Sequence, residues 1–474
     1  MLFALVISTD TIAALATPQG TGAISVIRLS GKSAIGICNS VFRGKSLEKQ
    51  PSHTIHYGHI VDADSIIDEV MVAIFRAPKS FTTEDVVEIS CHGSPFIAEQ
   101  VLQLLIKNGA RAAKPGEFTL RAFMHGRIDL TQAEAVADLI ASDSAASHDV
   151  ALKQMRGGFA TDLKNLRQQL IDYAALIELE LDFGEEDVEF ANRQKLIDLI
   201  SQLTTHNSQL IESFKVGNVI KNGVNTVIAG RPNAGKSTLL NKLLNEERAI
   251  VSDIPGTTRD TIEEVISING VQFRFIDTAG IRQTDDVIEK QGVEKTLEKL
   301  KQSAVFIYLF DVNTLTPEEL LLDINELNLL GFKGILVGNK IDQAGWKTTA
   351  PFYHILETSL NKEENIATNL ELLFLSANTG FNVNLLRQKL YDITLGSQLA
   401  THNSQLITNL RHYEALVKAN ESLDKAKIGL EQKLSGELVA FDLRDALEHL
   451  GSITGEVSNE EILGSIFSRF CIGK

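Results

Sequence analysis

The residues best suited to chemistry lie in one glycine-rich turn near the middle of the chain. The run TVIAGRPNAGKSTLLNKLL places Gly230, four further residues, then Gly235, Lys236 and Ser237 between a strand-like run and a helical one. Glycines let backbone N–H groups approach phosphates, a lysine in this position reaches the β- and γ-phosphates, and the hydroxyl can hold Mg²⁺. The pattern therefore predicts a nucleoside-triphosphate site, and a structural glycine-rich turn is the less favoured interpretation.

Three downstream motifs indicate which nucleotide binds. FRFIDTAG ends in Asp277 to Gly280, which can hold Mg²⁺ through water and sense the γ-phosphate. In ILVGNKID, Asn339 and Lys340 can support the base, while Asp342 can accept hydrogen bonds from guanine N1–H and the 2-amino group. Adenine lacks this pair of donors, so Asp342 selects guanine. LFLSANTG, with Ser376 to Gly380, supplies backbone contacts to guanine O6.

The segments between these motifs narrow the hydrolytic mechanism. Ile281 follows DTAG, so the water-orienting glutamine that Ras-like enzymes carry there is missing and another group must position water. The segment Ser252 to Asp260, SDIPGTTRD, contains a threonine pair suited to cation coordination. No intrinsic arginine finger is evident. Arg259 lies in the Ser252 to Asp260 segment and Arg282 lies just after DTAG, and these are the two segments that we predict to be mobile switches.

Composition sets the class of protein around this site. The chain has 474 residues, 44% of them hydrophobic, which excludes a disordered or low-complexity protein. A net charge of −16 means that any nucleic-acid contact must be local. Cys38, Cys91 and Cys471 are too few and too scattered for a disulfide framework or a zinc site, which favours a reducing compartment. No apolar run is long enough to predict a membrane span, and the apolar start, Met1 to Ser8, predicts a strand better than a signal peptide.

The pattern of apolar residues predicts one domain inserted into another. Residues 1–121 alternate short strand-like and helical runs and form a small α+β domain, whereas Thr131 to Glu134 reads as a capping box that opens a helical domain. We predict helical parts over 122–215 and 395–474, the latter ending in CIGK, around an inserted βαβ-type domain over 216–394. The fold class is therefore α/β plus α. A near-repeat, LTTHNSQLI and LATHNSQLI, flanks the insert, and chance or local duplication explains it as well as function does.

Beside the guanine nucleotide motifs, the sequence contains PGEF and LTQAEAVADLI before the insert and FCIGK after it. With these motifs the chain resembles the MnmE (TrmE) family of tRNA-modification GTPases over essentially its full length. The resemblance implies that 216–394 is a Ras-like P-loop G domain and that 1–121 binds folate and dimerises. It also implies that G domains pair across a homodimer, with K⁺ replacing the charge of an arginine finger. The implied potassium ligands are Asn233 through its side chain, Ser252 and Ile254 through their carbonyls, and Thr257.

The same resemblance completes the nucleotide site. Thr258 would join Ser237 on Mg²⁺, and Glu289 would be the catalytic residue that orients water through a bridging water; without the resemblance, Glu289 reads as a solvated helix charge. The full set of predicted GTP-binding residues is Asn233, Ala234, Gly235, Lys236, Ser237, Thr238, Ser252, Asp253, Ile254, Pro255, Gly256, Thr257, Thr258, Asp277, Thr278, Ala279, Gly280, Asn339, Lys340, Asp342, Ser376, Ala377 and Asn378.

The resemblance further implies a site for a tetrahydrofolate derivative, in the 5-formyl or methylene form, at the dimer interface. The matching positions are Arg28, Glu88, Arg127 and Lys474. Arginine and lysine can pair with folate carboxylates, and a carboxylate can hydrogen-bond a pterin. Cys471 could act as a thiolate near the transferred carbon, or pack beside Phe470 and Ile472. His92 is either a polar contact or a satisfied loop residue.

The reaction implied by the resemblance is addition of an aminomethyl or carboxymethylaminomethyl group at C5 of the wobble uridine of certain tRNAs. FAD would enter only through a partner of the GidA/MnmG family, in a heterotetramer or larger complex, because this chain has no G-x-G-x-x-G fingerprint. A cytoplasmic location is expected. A GTPase acting as a ribosome-assembly switch is the second hypothesis, but no KH-type GXXG module is evident outside the inserted domain. The complete nucleotide motifs contradict a third, a folate-dependent transferase without a GTP switch.

Overall fold

The computed structural model describes most of the chain as two compact units. One unit comprises Met1–Ala141, Ala151–Thr205 and Ala415–Lys474, and the other comprises Ser142–Val150 and His206–Glu414. The described residues are 10–182, 192–245, 264–276, 300, 303–326, 329–345, 348–360, 370–395, 406–457, 460–468 and 470–473. The strand predicted for Met1 to Ser8 lies outside them.

The first unit is built on a seven-stranded sheet. Its strands are β1 Thr11–Leu15, β2 Ile24–Ser30, β3 Phe42–Arg43, β4 Thr54–Asp62, β5 Ser65–Phe75, β6 Val86–His92 and β7 Ala110–Ala112. Their order is β3-β4-β5-β6-β2-β1-β7, antiparallel except for the β1–β7 pair. Helices α1, Ala34–Val41, and α2, Pro95–Lys107, pack against the buried face. Residues 54–75 thus form two long antiparallel strands joined by a tight turn.

The remaining helices before the second sheet are α3 Glu117–Met124, α4 Leu130–Ala141, α5 Ala145–Met155, α6 Ala160–Asp182 and α7 Arg193–Asn222. The predicted capping box is wrong, because Thr131 already lies inside α4. The cap is instead formed by Asp129 and Gln132: Asp129 Oδ1 accepts from the Gln132 N–H at 3.0 Å, and Gln132 Oε1 accepts from the Asp129 N–H at 3.0 Å. Reciprocal bonding of this kind satisfies two N-terminal donors, and Asp caps as well as Thr does.

The second unit contains a six-stranded sheet typical of α/β proteins. Its strands are β8 Val224–Gly230, β9 Glu264–Ile268, β10 Val271–Phe275, β11 Val305–Asp311, β12 Gly334–Asn339 and β13 Leu370–Phe374. They run β13-β12-β11-β8-β10-β9, all parallel except β9. Apolar clusters cover both faces, which explains why β11 and β12 are almost continuously apolar. The loops after β8, β11, β12 and β13 consequently meet at one carboxyl edge.

The helices that complete the description are α8 Lys236–Asn245, α9 Pro317–Glu326, α10 Ile341–Ala344, α11 Ala350–Leu360, α12 Val383–Leu395, α13 Leu410–Glu431, α14 Gly436–Thr454 and α15 Glu460–Phe467. The helical character predicted for 122–215 and 395–474 is confirmed in their described residues by α4 to α7 and by α13 to α15. In the described part of the chain, no helix is both long enough and apolar enough to cross a membrane.

The segment Ser142–Val150 belongs to the second unit although the chain on either side belongs to the first. It docks on the β9–β10 hairpin, where the Ala146 N–H donates to the Gly270 carbonyl at 3.4 Å and Gln272 Nε2 donates to the Asp143 carbonyl at 3.2 Å. This hairpin joins the two predicted switch segments in sequence. Any movement of the hairpin would therefore act directly on Ser142–Val150 through these two hydrogen bonds.

Candidate functional site

The phosphate loop has the strand–turn–helix context that the sequence predicted. It leaves β8 at Gly230 and enters α8 at Lys236, with left-handed backbone at Asn233, φ 60°, and at Gly235, φ 96°. Left-handed residues in such a turn point successive N–H groups into a concavity that suits anions. A Cβ atom on Gly235 would lie 2.4 Å from Asn339 Nδ2, so this position also requires glycine for space.

The surroundings of the Lys236 ammonium indicate which kind of ligand the phosphate loop suits. Its Nζ atom donates to the Gly230 carbonyl at 2.8 Å and to the Arg231 carbonyl at 2.9 Å. Burial lowers the pKa of Lys236, because neither carbonyl carries the full negative charge that would compensate the buried cation. Phosphate oxygens would supply that charge, so the loop is electrostatically matched to a polyphosphate.

The loop is also tied to the helix beside it. Arg231 makes a two-pronged ion pair with Asp323 on α9, with Nε and NH2 each 2.9 Å from a carboxylate oxygen. Asp323 is buried and accepts a further hydrogen bond of 2.5 Å from the Tyr308 hydroxyl. Paired, hydrogen-bonded charges of this kind specify a single arrangement. Neither Asp323 nor Tyr308 belongs to a recognisable motif, so sequence reasoning missed them.

Asn339 is the residue that joins the motif loops. It is 2% exposed at the end of β12. Its Nδ2 donates to the Ala234 carbonyl in the phosphate loop at 2.8 Å, and its Oδ1 accepts from the Ala377 N–H in the SANTG loop at 2.9 Å. The sequence predicted that Asn339 supports the base, and the structure places it between two loops that would flank a nucleotide.

The other described members of the set lie along the same edge. Ser376 is fully buried, and its Oγ accepts from the Thr379 N–H at 3.2 Å, which shapes the SANTG loop. Asp342 is exposed on α10, which begins directly after Lys340. Ser237 lies in the first turn of α8, where a cation bound to the phosphates would be within the reach of a hydroxyl.

Several predicted residues cannot be placed. Those outside the described residues are Ser252, Asp253, Ile254, Pro255, Gly256, Thr257, Thr258, Arg259, Asp277, Thr278, Ala279, Gly280, Ile281, Arg282, Glu289 and Lys474. Among the described residues, no cluster of three His, Cys, Asp or Glu side chains could hold a metal ion. The potassium, magnesium and water-orienting assignments that depend on the unplaced residues stay predictions.

Two of the described folate candidates, Arg28 and Glu88, are paired on the first sheet, and Arg127 shares an aromatic neighbour with Arg28. Arg28 on β2 lies directly opposite Glu88 on β6 in the strand register, and Arg28 Nε donates to Glu88 Oε1 at 2.9 Å. The Arg28 guanidinium carbon lies 5.8 Å from the centre of the Phe118 ring and 6.0 Å from that of Phe81. Arg127 places its own guanidinium carbon 5.7 Å from the Phe81 ring centre. Two arginines and a carboxylate beside aromatic rings suit a ligand with a flat heterocycle and carboxylates.

A buried ion network fixes the helix that carries Phe118. Arg121 on α3 donates to Asp10, Glu84 and Glu117, and Arg111 pairs with Glu117 at 2.6 Å. Burial acts to raise the pKa of Glu117, but hydrogen bonds from these two arginines and from the backbone outweigh it, so the pKa of Glu117 lies below its usual range. Arg121 therefore ties the helix that carries Phe118 to residues that lie just before β1 and β6.

The segment 470–473 ends at the same place. The Gly473 carbonyl accepts a hydrogen bond of 3.4 Å from Arg28 NH1, and the Cys471 carbonyl lies 3.5 Å from the Gly116 N–H that donates to it. Gly473 has φ 96°, and a Cβ atom there would lie 2.3 Å from the Leu15 carbonyl oxygen. Cys471 is exposed, so its side chain is not part of the packed core. His92 is held by Asp68, with Nδ1 2.7 Å from Oδ1, and its ring is largely exposed.

A phosphate loop joined through Asn339 to the SANTG loop, on a mainly parallel sheet, is the arrangement of the P-loop GTPase class. Comparison with known proteins specifies it further. A family model described as "MnmE helical domain" matches residues 130–471, and one described as "GTP-binding protein TrmE N-terminus" matches residues 11–127. The chain belongs to the MnmE (TrmE) family of tRNA modification GTPases.

Curated relatives agree with this assignment over nearly the whole length. The chain is 53% identical to the tRNA modification GTPase MnmE of Cytophaga hutchinsonii over 98% of both chains. It is 51% identical to the protein of the same name from Christiangramia forsetii, over 98% of this chain and 99% of that one. Among solved structures it is similar to Era in complex with MgGDPNP and 16S ribosomal RNA nucleotides, at 28% identity over 42% of this chain and 66% of that chain, with a TM-score of 0.28.

Proposed function

We propose that this GTPase acts with an FAD-dependent partner of the GidA/MnmG type to modify C5 of the wobble uridine in certain tRNAs. The observation that carries the proposal is the meeting of Arg28, Glu88 and the segment 470–473 in a chain whose Asn339 also joins a phosphate loop to the SANTG loop. A tetrahydrofolate derivative would supply the one-carbon unit when bound. Arg28, Arg127 and Lys474 would hold its carboxylates, and Glu88 would hydrogen-bond its pterin.

The exposed thiol of Cys471 suits a role at the transferred carbon. A thiolate is the strongest nucleophile among ordinary side chains, and it must be accessible to react. The segment 470–473 contacts Arg28 through Gly473, two residues from Cys471, and this closeness in sequence supports a role for the thiol at the proposed folate site. GTP hydrolysis would drive pairing and separation of G domains in a homodimer. Movement of the β9–β10 hairpin would then be transmitted to the rest of the chain in part through Ser142–Val150, which docks on that hairpin.

Nucleoside mass spectrometry tests the function directly. Bulk tRNA from a strain lacking this protein is expected to lose the C5-aminomethyl-type uridines and to regain them with the wild-type chain. Complementation with Cys471→Ser should leave them at background if the thiol reacts, whereas Ile472→Ala, a substitution at the exposed neighbouring position, should restore them. Unchanged nucleosides in the deletion strain would refute the modification proposal and favour an assembly switch.

Potassium activation is the second expectation. Asn233 has an exposed side chain at the left-handed turn of the phosphate loop, where an amide oxygen can bind a cation that faces the phosphates. Steady-state GTP hydrolysis should therefore be faster in K⁺ than in Na⁺ by about tenfold or more, since a charge near the developing negative charge of the transition state is worth several kcal/mol. Asn233→Ala should remove the difference between the two salts while GDP still binds. Equal rates in both salts for the wild type would refute the potassium assignment.

A further inference from the structure

A carboxylate outside every recognised motif lies beside the guanine-recognition loop. Asp311 is the last residue of β11, where the parallel register places it opposite Asn339. One of its oxygens, Oδ2, lies 2.8 Å from Lys340 Nζ. The Asp311 side chain is 12% exposed and that of Lys340 is 30% exposed. An ion pair this sheltered is stronger than one in open solvent.

Asn313 connects the same carboxylate to the backbone of Lys340. Asp311 Oδ1 accepts from the Asn313 N–H at 3.0 Å and from Asn313 Nδ2 at 2.9 Å, and that Nδ2 also donates to the Lys340 carbonyl at 3.4 Å. Burial acts to raise the pKa of Asp311, but hydrogen bonds from Lys340 and Asn313 outweigh it and place the pKa below the usual range. Asp311 is thus held at both oxygens by donors that favour its ionised form.

The backbone of Lys340 explains why two anchors are needed. Lys340 has φ 64°, a left-handed conformation that is unfavourable for a residue with a long side chain. It caps α10, Ile341–Ala344, and Asp342 is the second residue of that short helix. The direction in which Asp342 points therefore depends on a strained turn at Lys340. Contacts that hold both the ammonium and the carbonyl of Lys340 stabilise that turn.

We propose that Asp311 and Asn313 are positioning residues for guanine specificity, because they fix Lys340 and through it the placement of Asp342. The inference rests on the proposed roles of Lys340 and Asp342 at the base. A lysine stem is flexible and loses substantial conformational freedom when ordered, so an anchored ammonium lets the stem act as a preorganised surface. Neither residue touches the base in this scheme, and each acts only through Lys340.

The test compares GDP with IDP, which lacks the 2-amino group that Asp342 recognises. Equilibrium titration of the nucleotide-free full chain gives both dissociation constants for wild type, Asp311→Asn and Asn313→Ala. We expect each variant to bind GDP about tenfold more weakly and to discriminate GDP from IDP several-fold less, because a displaced Asp342 loses its advantage with the 2-amino group. General destabilisation would weaken binding of both nucleotides by the same factor and leave the ratio unchanged.

Glu371→Gln is the matched control. Glu371 is a carboxylate on β13 of the same sheet, is ion-paired with Lys389, and makes no described contact with the motif loops. It should bind both nucleotides as the wild type does. In a Lys340→Met background, Asp311→Asn should have no further effect on the GDP to IDP ratio, because both substitutions remove the same link.

Two results would overturn the inference while leaving intact the guanine role proposed for Asp342. The first is that folded Asp311→Asn or Asn313→Ala keeps the wild-type ratio of the GDP and IDP dissociation constants. The second is that Asp311→Asn and Lys340→Met change this ratio additively when they are combined. A wild type that binds GDP and IDP equally would instead remove the guanine role proposed for Asp342, and the inference would fall with it.

Discussion

Asn339→Ala is expected to weaken GTP binding by about 100-fold or more, as measured by titration of the full chain with a fluorescent GTP analogue. The substitution removes the donor to the Ala234 carbonyl and the acceptor for the Ala377 N–H, both at a buried position. Each partner left unsatisfied costs roughly 1–3 kcal/mol, and about 1.4 kcal/mol corresponds to a tenfold change in affinity. The phosphate loop and the SANTG loop would lose the side chain that joins them. The substitution therefore lowers the affinity for GTP itself, whatever its effect on the rate of hydrolysis.

Asn225→Ala provides the control for that experiment. Asn225 is exposed near the amino-terminal end of β8, far along the strand from the phosphate loop, so its truncation should leave the affinity unchanged. Asn339→Asp separates the two contacts, because a carboxylate still accepts from Ala377 but cannot donate to Ala234. Wild-type affinity in both Asn339 variants would show that the bridge is not needed for binding.

Gly473→Ala is expected to reduce tRNA modification strongly while leaving GTP hydrolysis intact. The added Cβ would lie 2.3 Å from the Leu15 carbonyl oxygen and 3.0 Å from the Ala16 Cα atom, and both are backbone atoms that cannot rotate away. The left-handed φ of 96° adds strain for any residue with a side chain. The segment 470–473 would therefore leave its place beside Arg28. Modified uridine in complemented cells should fall by about tenfold or more, since positioning of reacting groups is worth several kcal/mol.

Gly464→Ala is the corresponding control in the same part of the chain. Gly464 lies on α15, where an added Cβ meets nothing within 4 Å and alanine favours the helix. It should support normal modification. Loss of hydrolysis in Gly473→Ala would point to a general folding defect, and normal modification would show that docking of the segment is dispensable.

Sequence reasoning was most effective where chemistry requires a fixed spacing. The phosphate loop, NKID and SANTG motifs are local in sequence, and their meeting at one edge follows from the parallel arrangement of their strands. Family resemblance, and not periodicity, connected Arg28, Glu88 and Arg127, which the strand register and the loop at Phe81 bring together.

The residues that were missed have partners distant in sequence or belong to no motif. Asp323 recognises Arg231 across 92 positions, and Asp311 contacts Lys340 only because β11 and β12 are neighbours in the sheet. The predicted capping box was wrong for a different reason. Asp129 and Thr131 are both good N-cap residues and lie less than one helical turn apart, so the sequence pattern alone does not determine at which of them the helix begins. Tertiary packing makes that choice.

The contact between Arg28 and Gly473 joins residues 445 positions apart. Closing so long a loop is entropically costly and kinetically late, because most of the chain must be organised before its distant parts can meet. The phosphate loop, NKID and SANTG motifs all lie between residues 224 and 383, so their meeting needs no such closure. A folding chain would thus acquire nucleotide binding before the proposed folate site forms, and partial unfolding that releases 470–473 would leave a GTPase whose hydrolysis drives no modification.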